Sequence, residues 1–202
     1  MPTISIVDYG VGNLRSVKKA LERAGAKTLI TSDRKSLRRS DAIVLPGVGA
    51  FREAMKNLLP IAELLKQLAK DGALTLGICL GLQLLFTRGL EGGETRGLDL
   101  IKGDVVKLPD TVKLPHIGWN NVEIARECSI LKGVPNLSHV YFVHSYVSRP
   151  VSRKDEIAYT KYGVKFPSVF ARKNIFGTQF HPEKSSKVGL KILKNFVSIS
   201  KR

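Results

Sequence analysis

The sequence predicts an α/β fold: a doubly wound, mostly parallel sheet with an antiparallel extension. Three observations carry this. Short apolar or β-branched runs alternate with helix-period stripes through the first half, which implies parallel strands joined by helical crossovers. After Gly103 the texture changes to closely spaced strand-like segments. Between these regions a continuous apolar strand leads straight into Gly77-Ile78-Cys79-Leu80-Gly81, the pattern of a sharp strand-to-helix turn.

Each element has its own signal. Thr3 to Val7 is a β-branched run. Leu14, Val17, Ala20, Leu21 and Ala24 form an apolar helical stripe that Gly25 ends. Thr28 to Thr31 and Ala42 to Leu45 are short strands. Helical patterns cover Ala50 to Leu58 and Ile61 to Lys70, with Pro60 expected to separate them. Ala73 to Leu76 reads as a buried strand. The later strand-like segments are Val105 to Leu108, Val122 to Ile124, Val140 to His144, Ile157 to Thr160, Ser168 to Ala171 and Ile175 to Phe180. A closing helix places Val188, Ile192, Leu193, Phe196 and Val197 on one side and Lys187, Lys191 and Lys194 on the other.

The 202 residues suit one domain, 1–202, with a sizeable core. An apolar content of 43% and a charged content of 25% exclude disordered and fibrous classes. Cys79 and Cys128 are too few for a disulfide scaffold and point to a reducing compartment. The chain reaches Asp8 before any long apolar stretch, so no secretory signal is expected. The near-apolar run Ala73 to Phe86 is too short to span a bilayer. The expectation is a cytoplasmic protein with no membrane contact.

Thirty-three basic against 17 acidic residues give a net charge of +16, which raises the question of nucleic acid. Nine basic residues lie between Arg15 and Arg39 against Glu22 and Asp33. Almost no aromatic side chain interleaves them, and no RNA- or DNA-binding signature is present. The charge reads as a solvated surface, with no specific nucleic-acid partner.

Gly77-Ile78-Cys79-Leu80-Gly81 between a buried strand and an apolar helix is the cysteine version of a nucleophile elbow. Small flanking residues relieve crowding in the turn. A cysteine at a helix start meets N–H groups that favour thiolate, and the N–H of Leu80 is suited to receive an oxyanion. Nothing similar surrounds Cys128. The nucleophile needs a base, and His181 ends an alternating strand in Gly177-Thr178-Gln179-Phe180-His181-Pro182-Glu183. Pro182 favours an extended His181, and residues two apart in an extended chain share a face, so Glu183 falls beside the imidazole. No Cys/His spacing suggests zinc, and no protein-bound metal is expected.

These residues resemble the class I, triad-type glutamine amidotransferases. Pro46-Gly47-Val48-Gly49-Ala50-Phe51, Pro115-His116-Ile117-Gly118-Trp119-Asn120, Tyr141-Phe142-Val143-His144-Ser145-Tyr146 and Asp8-Tyr9-Gly10-Val11-Gly12-Asn13-Leu14 are similar to the glutaminase subunits of imidazole glycerol phosphate synthases, from first strand to last helix. The resemblance implies a class I glutamine amidotransferase-like fold with Cys79 as nucleophile, His181 as base and Glu183 as its orienting carboxylate. Pro46 to Gly49 stands at the family's oxyanion strand, where a turn of the Gly47–Val48 peptide brings the N–H of Val48 to join that of Leu80. Gln83 and Glu91, with Gly49, Ser145 and Tyr146, stand at glutamine-recognition positions. Leu82 replaces a common methionine, and Arg52 stands where a small or acidic residue is more usual.

The implied reaction is hydrolysis of glutamine to glutamate and ammonia without a cofactor. The ammonia would pass to a separate cyclase chain, a (β/α)₈ barrel, in a heterodimer serving histidine biosynthesis. Asn13, Trp119 and Lys184 are the implied docking residues. Two alternatives stand beside this reading: the glutaminase subunit of another synthase, such as pyridoxal phosphate synthase, and a basic RNA-binding or scaffold protein with an inactive triad.

Overall fold

The computed structural model describes residues 1–200. Its first half alternates strand and helix, with one short helix, α2, that the sequence reading did not expect: β1 (Thr3–Val7), α1 (Leu14–Arg23), β2 (Lys27–Thr31), α2 (Arg34–Arg39), β3 (Ala42–Leu45), α3 (Phe51–Lys70), β4 (Leu74–Ile78) and α4 (Leu80–Leu84). Then come β5 (Phe86–Gly89), β6 (Thr95–Arg96), β7 (Ile101–Lys107), β8 (His116–Ile124), β9 (Ser138–His144), β10 (Tyr146–Pro150), β11 (Glu156–Tyr162), β12 (Val164–Arg172), β13 (Ile175–Thr178) and α5 (Ser186–Ile199).

The main sheet runs β2-β1-β3-β4-β13-β12-β11-β8-β9. The pairs from β2 to β13 are parallel, and the pairs beyond β13 are antiparallel. Alternation along β3 shows why helices cover both faces: Ala42 and Val44 point into one core, Ile43 and Leu45 into the other. The first core is closed by Val17 and Leu21 of α1 and by Ile192, Leu193 and Phe196 of α5. The second is closed by α3, by Leu37 of α2, and by a small second sheet of order β10-β7-β5-β6.

Three expectations are corrected. Pro60 does not separate two helices; α3 is continuous through it. Its missing N–H removes one helical bond, but Leu58, Ile61, Ala62, Leu64 and Leu65 are buried on either side, and this shared apolar face holds the helix together. The predicted strand Ala73 to Leu76 runs instead from Leu74 to Ile78, up to the elbow. The small sheet is the larger difference: β5, β6 and β10 fall where no strand is expected, and β6 has only two residues. Among the described residues, no helix is long and apolar enough to cross a membrane.

Candidate active site

The elbow has the geometry its glycines require. Cys79 follows β4 and caps α4 at φ 54° and ψ −109°, in the left-handed half of backbone space. A Cβ on Gly81 would lie 1.8 Å from the carbonyl oxygen of Leu45, and one on Gly77 would lie 2.6 Å from Cα of Leu82. Only glycine lets α4 start this close to β3 and β4. The Cys79 N–H donates to Thr178 at 2.7 Å, fixing the turn to β13. Leu82 is buried and packs over Gly177, where a Cβ would meet it at 2.2 Å, so the residue in place of methionine is a packing element of the elbow.

His181 follows β13, with its N–H donating to the carbonyl of Tyr141 on β9. Its Nδ1 lies 2.7 Å from Oε1 of Glu183, and the two side chains are only 3% and 2% exposed. Glu183 reaches the ring from a 3₁₀ turn over Pro182–Lys184, not from the extended segment the sequence suggests. The tight turn brings residue i+2 back beside residue i and produces the same pairing. His181 Nε2 is buried with no hydrogen-bond partner, which leaves it free for proton exchange. Burial by itself would lower the His181 pKa, yet Cys79 and Glu183 together push it up to about 10. The imidazole therefore holds its proton at neutral pH.

A cavity of about 260 Å³ opens over Cys79. Its lining contains Val48, Leu80, Gly49, Gln83, Glu91, Ser145 and Tyr146, which joins two of the three oxyanion positions, without Gly47, to all five glutamine-recognition positions. The volume suits a small amino acid rather than a large cofactor. Gln83 donates to the carbonyl of Tyr146 at 3.0 Å and to Oε1 of Gln179 at 3.2 Å, and Gln179 directs its amide to Cys79 Sγ at 3.7 Å. Glu91 is partly engaged already: its carboxylate accepts the Phe51 N–H at 2.8 Å and caps α3. Arg52 donates to Gly92 and Thr95, so it fastens the loop that carries Glu91 and does not enter the oxyanion region.

Pro46 to Gly49 is irregular backbone after β3, not a strand. Val48 is 40% exposed and Gly49 has φ +108°. Gly47 is confined, since a Cβ there would lie 2.8 Å from both Leu80 Cβ and Tyr9 Oη. Tyr9 is buried and its hydroxyl donates to the Pro46 carbonyl. Burial, reinforced by Cys79, raises its pKa and keeps the phenol protonated as that donor.

Of the docking candidates, Trp119 is 53% exposed on β8 and meets Tyr141 edge-on at 6.2 Å. Lys184 stands over the same Tyr141 ring at 5.8 Å. Asn13 is exposed and caps α1 through Ser16 N–H, and α1 packs against the turn carrying Lys184. Cys128 is half-buried, its thiol pushed up by burial, away from these groups. Among the described residues, no three His, Cys, Asp or Glu side chains gather to hold a metal ion. Sequence reasoning assigned no role to Tyr9, Gln179, His116 or His144. All four sit inside segments already singled out, so their position was a usable signal, although nothing local to those segments pairs His116 with His144.

The glutamine amidotransferase class-I family model matches residues 5–199. A protein of Archaeoglobus fulgidus named imidazole glycerol phosphate synthase subunit HisH is 52% identical over 202 residues, covering 98% of this chain and all of that one (100%). Proteins of the same name from Caldanaerobacter subterraneus subsp. tengcongensis and Methanocaldococcus jannaschii are 50% and 48% identical, over 96% and 97% of this chain and 96% and 99% of theirs. A putative GMP synthase protein of Thermoplasma acidophilum superposes with a TM-score of 0.76 at 25% identity, covering 99% of this chain and 94% of that one. PurLQS from Thermotoga maritima shares the fold alone, with a TM-score of 0.78 at 19% identity and 99% coverage of both chains. With a strained cysteine, a paired His and Glu and a family match over nearly its whole length, the chain belongs to the class I glutamine amidotransferases.

Proposed function

We propose that this chain is the glutaminase subunit of an imidazole glycerol phosphate synthase, acting as one domain over residues 1–202. Relatives of that name, about half identical across the full chain, support the assignment. The observation that carries the chemistry is Cys79 in the lining of a small cavity, with a buried His181 held by Glu183 at 2.7 Å and its pKa pushed up by these neighbours. Cys79 attacks the glutamine side-chain carbonyl. The N–H groups of Leu80 and, once the Gly47–Val48 peptide is turned inward, of Val48 receive the oxyanion. His181 gives its proton to the departing ammonia as the C–N bond breaks, leaving a glutamyl thioester. His181 then takes a proton from water, whose oxygen attacks the thioester, and glutamate leaves as the Cys79 sulfur is released. Gln83, Glu91, Gly49, Ser145 and Tyr146 bind the amino-acid end of the substrate.

The ammonia passes to a cyclase subunit docked over Asn13, Trp119 and Lys184. The patch of Trp119, Tyr141 and Lys184 supports this, because an exposed indole beside a stacked cation is typical of a docking hot spot. Glutamate release should be measured for this chain alone and with a (β/α)₈ cyclase subunit. Hydrolysis that appears with the cyclase and is lost in Cys79→Ala supports the assignment. Absence of hydrolysis with any cyclase overturns it.

A further inference from the structure

A buried pair of histidines takes no part in the reaction as described, yet it is hydrogen-bonded into the wall of the cavity. His116 and His144 face each other in the β8–β9 register, with His116 Nδ1 3.0 Å from His144 Nε2. Both are buried, and the His116 ring is stacked between Tyr162 at 4.0 Å and Phe142 at 4.8 Å.

The surrounding bonds fix every proton in the pair. Asn120 Oδ1 accepts the Asn121 N–H at 2.8 Å, so its amide nitrogen faces the Lys161 carbonyl at 3.0 Å and His116 Nε2 at 3.3 Å. His116 Nε2 therefore accepts, and Nδ1 carries the proton that His144 Nε2 receives. His144 must then hold its own proton on Nδ1, which donates to the Tyr146 carbonyl at 2.9 Å. That same carbonyl accepts from Gln83. A proton added to either ring would set two donors against each other. Burial agrees, lowering His116 to about 4 and His144 to about 3.

We propose that Asn120, His116 and His144 form a positioning relay, two neutral Nδ1–H imidazoles in series, that holds the Tyr146 carbonyl and thereby sets the grip of Gln83, Ser145 and Tyr146 on glutamine. The inference rests on the glutamine-binding reading given above. It adds three residues that act through Tyr146, of which His144 also lines the cavity.

The test uses the chain in complex with its cyclase partner. His144→Leu should raise KM for glutamine about tenfold, the usual consequence of an unmade buried hydrogen bond, with kcat changed less than about threefold. His116→Phe keeps the ring stack and should move KM in the same direction. The double variant should be no worse than His144→Leu, because both break one chain. His144→Gln retains a donor and an acceptor and should recover most of the affinity, which separates positioning from general loss of packing. His139→Gln, an exposed β9 histidine, should leave both constants unchanged. In ¹⁵N-histidine spectra of the wild-type protein, two imidazoles should show the neutral Nδ1–H tautomer. Unchanged KM in His144→Leu and His116→Phe, additive losses in the double variant, or an Nε2–H tautomer for both rings would overturn the relay. A wild-type complex without hydrolysis would instead overturn the functional reading on which it stands.

Discussion

A cysteine at φ 54° and ψ −109° stores about 1–3 kcal/mol of backbone strain. It is held there by the Cys79 N–H bond to Thr178 and by the close packing at Gly77 and Gly81. Alanine inherits the same backbone, so Cys79→Ala should melt close to the wild-type temperature while losing at least about a thousandfold in turnover. Near-wild-type turnover would remove Cys79 from its role. His181→Ala should be comparably damaging, and Glu183→Gln less so, since an orienting group contributes less than the groups that react. Glu183→Gln also has a pH signature. The folded-state pKa of His181 is raised from 6.5 to about 10, so the stability it contributes is fully present below about pH 6.5 and fades as pH rises through about 10. The difference in denaturant midpoint between wild type and Glu183→Gln should be widest near pH 6 and shrink towards pH 10; a difference that grows with pH would contradict the pairing. The elbow at Cys79 and the pairing of His181 with Glu183 were legible in the sequence because each lies inside a short motif with local geometry. The His116–His144 relay was not, because its bonds exist only in one register of β8 on β9, and register is a property of two strands rather than of either segment.

At the level of elements, the elbow and α3 show opposite limits of local rules. The elbow obeys them: a Cβ on Gly81 would collide with the Leu45 carbonyl, and backbone on both sides leaves nothing flexible to yield. Gly81→Ala should cost on the order of 3 kcal/mol and lower turnover with it, read by chemical denaturation and glutaminase assay. Wild-type stability would mean that α4 does not approach β3 as described. Helix α3 overrides its local signal. Pro60 is exposed on its outer face, while the buried residues around it bind both halves to one core. Pro60→Ala restores a helical N–H and removes the clash with the preceding turn, at the cost of a freer unfolded chain. A net gain of about 1–2 kcal/mol is expected, and a loss would show that the proline is needed for packing. The small sheet escaped sequence reading for a related reason. β5 and β6 are short, and their strand character comes from pairing with β7 and with each other rather than from composition.

Across the whole molecule, the loop joining β1 to α1 connects the proposed docking face to the proposed oxyanion region. Asn13 ends that loop on the surface, Gly12 lies against Gly47 so that a Cβ on it would stand 3.5 Å from the Gly47 nitrogen, and Tyr9 holds the Pro46 carbonyl. The same face carries Lys184, the residue after Glu183, so a partner docked there would touch elements bearing both halves of the site. Were the Gly47–Val48 peptide to turn, one orientation would aim an N–H and the other a carbonyl at the developing charge. Gly47 itself is too closely packed to test this, because any side chain there would strike Leu80 and Tyr9 and disturb the fold. Tyr9→Phe is the better probe. It keeps the ring in its buried place and frees the Pro46 carbonyl, one peptide before the one that must turn. If docking works by shifting this peptide between orientations, the free wild-type chain should be a poor glutaminase, with the complex faster by roughly a hundredfold, the scale of one oxyanion donor. The gain should lie in kcat, because the donor acts on the transition state. Loosening the anchor should raise the activity of the free chain while reducing the activation ratio. Steady-state assays of wild type and Tyr9→Phe, alone, in complex, and in complex with cyclase ligand, decide it. Equal turnover of wild type in all three conditions would leave the triad intact and remove the switch. A full activation ratio in Tyr9→Phe would instead place the control of the peptide elsewhere than in the β1–α1 loop.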